Sequence, residues 1–294
     1  ADIFTVKYNS DINGVVDGET SQIVEYGADT QAVTAIPNEG YHFVNWTSSQ
    51  YNIPIEESNN NILIVKNITS NIDDITANFA INVYNVVFKA IENGKIEGET
   101  EQHIEHGGNS TIVTAVPNNN YHFVGWSNGH LESSLIIQDI KNDQEIEAYF
   151  EIDTFLVEFK SSDNGVLEGE TSQIVGYGGD AKSVSAIPDL GYHFVNWSST
   201  QRPDINEITS DTLILINITS DVNDITANFE LNEYTVIFDT GLNGTLEGMQ
   251  TQLVKHGQDC TQVTAISNTG YDFAGWNNVP EANRMDNPLI VKDV

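Results

Sequence analysis

Histidines, carboxylates and one cysteine are the residues of this 294-residue chain whose types could do chemistry. His42, His122 and His193 recur at one position of an internal repeat, where the last copy has Asp272. A zinc site needs three or four ligands, and one histidine per copy, flanked by Tyr and Phe, supplies only one. The pattern reads as a partly exposed strand position. His106 and His256 alternate with Tyr26 and Tyr177 in another column, which suggests packing. Ser, His and Asp all occur, yet no Gly-x-Ser-x-Gly elbow or other nucleophile signature accompanies them. Cys260 shares its column with Thr30, Ser110 and Ala181, so nothing catalytic is carried by it. No catalytic, cofactor-binding or metal-ligating residue is assigned, and the expectation is a protein that is not an enzyme.

Asp73-Asp74, and Asp221 with Asp224, sit in the turn before a predicted strand. Their oxygens could bind calcium weakly, but the spacing of a twelve-residue calcium loop is absent and a solvated turn is the simpler reading. No cofactor is otherwise implied. Asn-x-Ser/Thr sequons fall at Asn45, Asn67, Asn109, Asn196, Asn217 and Asn243. Those beside Trp46 and Trp197 are candidates for burial, which leaves Asn67 and Asn217 as the positions for N-glycosylation. The 43 acidic against 11 basic residues give a net charge of −32, spread along the chain. Such a surface repels nucleic acid and anionic lipid, and keeps the chain soluble. The single cysteine rules out an intramolecular disulfide framework, and no apolar run is long enough to span a membrane. The first residue is Ala and no signal peptide is visible, as in a processed or excised segment.

The elements behind these residues follow one repeated stretch. It runs from Asn13-Gly14 to Trp46 and recurs at Asn93–Trp126, Asn164–Trp197 and Asn243–Trp276 with no insertion or deletion. Each copy is preceded by an alternating strand such as Phe4-Thr5-Val6-Lys7-Tyr8, whose aromatic and Val positions share a face. Asn13-Gly14, Asn93-Gly94, Asn164-Gly165 and Asn243-Gly244 carry the residue types of a type I′ turn, which predicts an antiparallel hairpin between the strands on either side. Strict alternation would set Trp46 opposite Tyr41 and Phe43. The Asn45, Gly125, Asn196 or Gly275 before each Trp tolerates left-handed backbone, so a β-bulge is expected to turn the indole back. The expected cores are Tyr41, Phe43 and Trp46; Tyr121, Phe123 and Trp126; Tyr192, Phe194 and Trp197; and Tyr271, Phe273 and Trp276, each against the module's first strand.

After the Trp the copies diverge over residues 47–61, 127–134, 198–212 and 277–288, as insertion-tolerant surface loops do. Two further strands close each of the first three modules, ending at Phe79, Phe150 and Phe229. The connections to the next module are too short for flexible linkers. The reading is four tandem β modules, 1–81, 82–152, 153–231 and 232–294, in an elongated semi-rigid rod. The last module stops at Val294, before its final strand. Either the chain was cut from a longer array, or the open groove receives a strand from another molecule.

The strings GYHFVNW at 40–46 and 191–197, NYHFVGW at 120–126 and GYDFAGW at 270–276, following Val-Thr-Ala-Ile-Pro and its variants, resemble the divergent internalin B-repeat family. Asn120 replaces the leading Gly in one copy, and Ser267 the Pro in another. The resemblance covers all four modules. It implies a secreted cell-surface tandem repeat acting as a stalk or adhesion module, with a mainly β, β-grasp-like fold and no catalytic residues. The expected partners are other surface or matrix proteins, or copies of the chain joined into a filament by strand complementation. Nucleic acid and direct membrane insertion are not expected. A second reading is a glycan- or protein-binding module that uses the loops after each Trp.

Overall fold

The computed structural model describes residues 2–294. The fold is mainly β. The first module contains β1 (Ile3–Ser10), β2 (Gly14–Asp17), β3 (Ser21–Glu25), β4 (Val33–Pro37), β5 (Tyr41–Thr47), β6 (Ile62–Leu63) and β7 (Ile72–Ile81), with one short helix, α1 (Ile55–Ser58). The chain changes sheet at every step. Odd strands form a four-stranded sheet of order β3-β1-β7-β5, and even strands a three-stranded sheet of order β2-β4-β6. At the centre of the larger sheet β1 and β7 run parallel, and β3 and β5 flank them antiparallel. A parallel pair needs a long crossover, and here the rest of the module supplies it.

The Asn-Gly hairpin is not what the structure contains. β1 pairs with β3 and β7, while β2 pairs with β4 in the other sheet. Of the four Asn-Gly pairs only Asn93 (φ 64) and Asn164 (φ 75) adopt left-handed backbone, and none of the four glycines does. The glycine answers a different need. A Cβ on Gly14 would lie 2.5 Å from the Phe79 ring, and Gly94 and Gly165 are covered in the same way by Phe150 and Phe229. The first residue of the strand is therefore bare, and an aromatic from the last strand lies on it.

A bulge precedes each of the first three tryptophans. Phe43 faces Phe79 and Asn45 faces Asn78, so Val44 is the extra residue, and the register shifts likewise after Phe123 and Phe194. Asn45, Gly125 and Asn196 are not left-handed. Instead Asn78 Nδ2 donates to Asn45 Oδ1 at 3.0 Å, and Asn228 does the same for Asn196, so the side-chain amide and not the backbone freedom of Asn holds the kink. Trp46 returns to the core and meets Tyr8 edge-on at 6.1 Å. Tyr41 and Phe43 are only partly buried; the centre is aliphatic, formed by Val6, Val33, Ala35, Leu63, Val65, Ile68, Ile72, Ile75 and Ala77. Those residues come from β1, β4, β6, β7 and the connection between β6 and β7.

The second module repeats the plan with seven strands, among them β8 (Val83–Ala90), β12 (Tyr121–Trp126) and β14 (Gln144–Ile152). The third does so with β15 (Thr154–Ser161), β19 (Tyr192–Ser198) and β21 (Val222–Leu231). The fourth has β22 (Glu233–Ile237), β23 (Gly244–Glu247), β24 (Thr251–Lys255) and β25 (Thr264–Ser267), paired β22-β24 and β23-β25. Four separate core clusters lie within residues 4–79, 84–150, 155–229 and 236–294.

The chain forms two compact units, one ending at Ile152 and the other spanning Asp153–Val294. Inside the first, a single residue, Asn82, joins β7 to β8. Its N–H donates to the Gly40 carbonyl and its own carbonyl accepts the His106 N–H, both at 2.8 Å. The His106 ring lies on Gly40 (φ +85), where a Cβ would come within 2.7 Å of its Cγ. Inside the second unit Asn232, Gly191 and His256 repeat the arrangement.

Candidate functional site

Each tryptophan ties down the variable loop that follows it. The indole N–H of Trp46 donates to the Asn60 carbonyl at 3.0 Å, that of Trp126 to Glu132 at 3.0 Å, that of Trp197 to Ser210 at 3.0 Å and that of Trp276 to Asp286 at 2.8 Å. Loops of different length and sequence thus close on the same buried donor. Their interiors differ: α1 with Tyr51 and Ile53 packed inward in the first module, and a 3₁₀ turn with buried Ile205 in the third.

Asp74 and Asp224 lie not in a turn but within the first residues of the last strands, β7 and β21, and clamp these loops. Asp74 accepts hydrogen bonds from the Ser48 hydroxyl and from the Ser49 N–H and Oγ, the latter two at 2.6 Å. Asp224 accepts from the Ser199 hydroxyl, and from the Thr200 N–H at 2.7 Å and Oγ1 at 2.5 Å. Partial desolvation raises both carboxyl pKa values, but the combined donors outweigh it, leaving Asp74 below its ordinary value and Asp224 lowered to about 2. The neighbouring oxygens are also used: Asp73 accepts from Gln50 Nε2 at 2.7 Å, and Asp221 from the Leu156 N–H at 2.8 Å. Asp73, Asp74 and Asp224 thus point at donors in the loop after the Trp, and Asp221 at the backbone of β15. Among the described residues no group of three or more His, Cys, Asp or Glu is arranged to hold a metal ion.

The histidines sit where strands meet. His42 and His193 are exposed, with Nδ1 2.8 and 2.9 Å from the side-chain oxygens of the junction residues Asn82 and Asn232. His122 is exposed at the matching position of β12. His106 and His256 pack on Tyr84 and Tyr234 at ring separations of 5.9 and 6.0 Å, while Tyr26 and Tyr177 pack on Phe4 and Phe155. Cys260 is buried, and burial pushes its thiol pKa up. Asn67 and Asn217 are exposed and left-handed, at φ 52 and 53, and Asp139 and Asp293 take the same place elsewhere at φ 51 and 52. Asn67, Asp139, Asn217 and Asp293 donate their N–H groups to Oδ1 of Asp29, Asn109, Asp180 and Asp259 respectively.

One set of residues carries structure that the repeat pattern alone did not single out. Gln22, Gln102, Gln173 and Gln252 are all buried. In the third module Gln173 Nε2 donates to Glu170 O at 2.8 Å and Lys182 O at 3.0 Å, while its Oε1 accepts the Lys182 N–H at 2.6 Å. The other three glutamines make the same contacts. The available signal was a polar residue held constant at an inward-facing strand position.

The fourth module differs from its sisters in both sheets, each of which is two-stranded. β22 pairs on one edge only, and Tyr271–Trp276, the counterpart of β5, β12 and β19, is not a strand. Val236 is half-buried, whereas Val6, Val86 and Val157 are fully buried. Tyr271 is 54% exposed. Beside Tyr271–Trp276 lies a groove of about 380 Å³, lined also by Asp239–Leu246 and Ala265–Ser267. No phenylalanine covers Gly244, whose nearest neighbour is the Ile266 carbonyl. Trp276 nonetheless stays 9% exposed and bound to its loop.

Constant cores with anchored loops of varying length define a tandem β-repeat protein. The divergent InlB B-repeat domain matches residues 4–83, 84–154 and 155–233, and the chain belongs to that family. The Listeria-Bacteroides repeat domain matches residues 234–285, in the module that lacks the parallel pair. No curated protein matches the chain.

Proposed function

We propose that the chain is a non-enzymatic segment of a secreted or cell-surface protein, a repeat array that spaces and presents its Trp-anchored loops for adhesion. The observation that supports this most is the division of labour within the module. Four modules keep the glutamine clamp and the indole donor, while the segment between the Trp and its acceptor carbonyl changes in length and sequence. Selection for chemistry would instead keep side chains at one loop position. The strong negative charge suits a solvent-exposed segment that does not associate nonspecifically. No described helix is long and apolar enough to cross a membrane.

Protease shaving of intact source cells, followed by mass spectrometry, tests the location: peptides of this chain are expected from intact cells, and their release only after lysis refutes a surface role. The role of the loops is tested by exchanging residues 47–61, 198–212 and 277–288 for the shorter 127–134 segment. Beads coated with the parent chain are expected to attach to immobilised surface proteins or glycans, and beads with the exchanged chain are not. Equal attachment by both would assign adhesion elsewhere.

A further inference from the structure

Three columns of the repeat alternate from module to module. The corner before the Tyr-His-Phe strand is Gly40, Asn120 and Gly191; the first-strand aromatic is Phe4, Tyr84, Phe155 and Tyr234; and the residue after the third strand is Tyr26, His106, Tyr177 and His256. The second and fourth modules pair Tyr with His, and each follows a module whose corner is Gly. These residues meet at the module boundary. The His106 ring is seated on Gly40, where a Cβ would lie 2.4 Å from its Cδ2, and the Tyr84 hydroxyl is 3.3 Å from its Nδ1. Gly40 is buried although Asn38 and Glu39 beside it are exposed, and Asn120, at the same corner of the second module, is exposed. Tyr26 and Tyr177 pack instead on Phe4 and Phe155 of their own modules. Asn82 is held on three sides: its N–H donates to the Gly40 carbonyl and its carbonyl accepts the His106 N–H, both at 2.8 Å, and its side-chain oxygen is 2.8 Å from His42 Nδ1. In the second compact unit the His256 ring covers Gly191, and Asn232 bonds to Gly191, His256 and His193 in the same way.

We infer that the structural repeat of this array is a pair of modules, in which the histidine ring seated on the corner glycine and the three bonds of the junction asparagine lock two small cores into one cooperative unit. The first compact unit holds one such junction and the second holds the other. Modules this small bury modest cores and are marginal alone, so the interface with a neighbour decides whether they open singly or together. At this interface the neighbour is hard to release. Swinging one module away from the other lifts the His106 ring off Gly40 and breaks both main-chain bonds of Asn82, the single residue between β7 and β8. The lock also explains why the corner must be Gly where the next module brings His: any side chain at Gly40 would occupy the place of the ring. A consequence is that the loops after Trp46 and Trp126 are carried by one body. The inference stands apart from the surface-array reading, since it depends neither on where the protein resides nor on what it binds.

The test reads native-state hydrogen exchange of the whole 294-residue chain by mass spectrometry, under conditions where exchange reports the opening equilibrium. Ile75→Val removes one methyl group from a fully buried residue of the first core. It is expected to speed the slowest peptides of β1 and β7 by about twofold to tenfold. Those of β8 and β14, in the second module, are expected to speed up by the same factor. In a His106→Ala background the same change is expected to act on β1 and β7 alone. Gly40→Ala displaces the ring from the other side and leaves the residues of the second module intact, so it is expected to uncouple the modules even if His106→Ala weakens the second module by itself. Asn120→Gly, at the exposed corner, is expected to leave the coupling in place. Exchange of β8 and β14 that does not respond to Ile75→Val would overturn the inference, because the modules would then open independently. An undiminished response in both the His106→Ala and the Gly40→Ala backgrounds would overturn it too, because the coupling would not pass through the lock.

Discussion

Gly165→Ala separates two accounts of the Asn-Gly pairs. If the glycine were needed for positive φ in a hairpin turn, alanine would be strained whatever surrounds it. The structure gives it another role: a methyl group there would lie 2.5 Å from Cε2 of Phe229, against about 3.5–4.0 Å for an ordinary carbon contact. The ring must shift by about 1 Å within a packed core, which costs about 1–3 kcal/mol. Restricting the unfolded chain offsets about 0.4–1 kcal/mol of this, because the native φ is not left-handed. Phe229→Ala alone removes a buried ring and costs about 3–5 kcal/mol. In the double variant the added methyl enters space the ring has left, so the two costs fail to add by about 1 kcal/mol or more, beyond the roughly 0.3–0.5 kcal/mol of independent sites. Native-state hydrogen exchange of residues 165–168 and of β21 reads this for one module, where a melting curve would mix four. Additive costs, or an undiminished penalty for Gly165→Ala in the Phe229→Ala background, would refute the ring-on-glycine account.

Other outcomes follow from the loop anchors and clamps. Trp126→Phe keeps most of the ring but leaves the Glu132 carbonyl without its donor, so loop 127–134 should lose about 1–3 kcal/mol of local protection in hydrogen exchange, with β8 and β14 little changed. Gln173→Leu leaves the Lys182 N–H and two carbonyls unpartnered at a buried site, and should destabilise the third module by about 1–3 kcal/mol in the same measurement. Asp224 titrates in the folded chain at about 2, below its ordinary 3.8. A depressed folded value means that its stabilisation is complete above the unfolded value and is lost as pH falls from about 4 through about 2. Pepsin cleavage within 198–212 should therefore rise across that window, and Asp224→Asn should raise cleavage at pH 4 and flatten the dependence; a parallel profile for the two proteins would show that the carboxylate is not the clamp.

Much of the architecture is local and therefore written in the residues. Period-two alternation in Phe4-Thr5-Val6-Lys7-Tyr8 names a half-buried strand, the constant interval from Asn-Gly to Trp names the module, and the odd position of Trp46 relative to Tyr41 and Phe43 names a bulge. Each depends on neighbours within a few residues, where backbone geometry leaves few choices. Pairing is not local. That β1 lies beside β7 and not β2 depends on the strands coming together from opposite ends of the module, and alternation is the same whichever partner a strand finds. Gly14 looked like a turn residue because Asn-Gly commonly is one; its real constraint, the Phe79 ring, arrives from 65 positions downstream. The same holds for the site. Loop divergence after each Trp is visible in the sequence, but the shared acceptor carbonyl, the Asp224 clamp and the ordered glutamine contacts appear only when distant backbone groups are brought within hydrogen-bond reach. The fourth copy of the repeat is likewise visible in the sequence. Only the tertiary structure showed that Gly244, Phe273 and Trp276 converge on one groove, because a groove is a relation between strands from different parts of the chain.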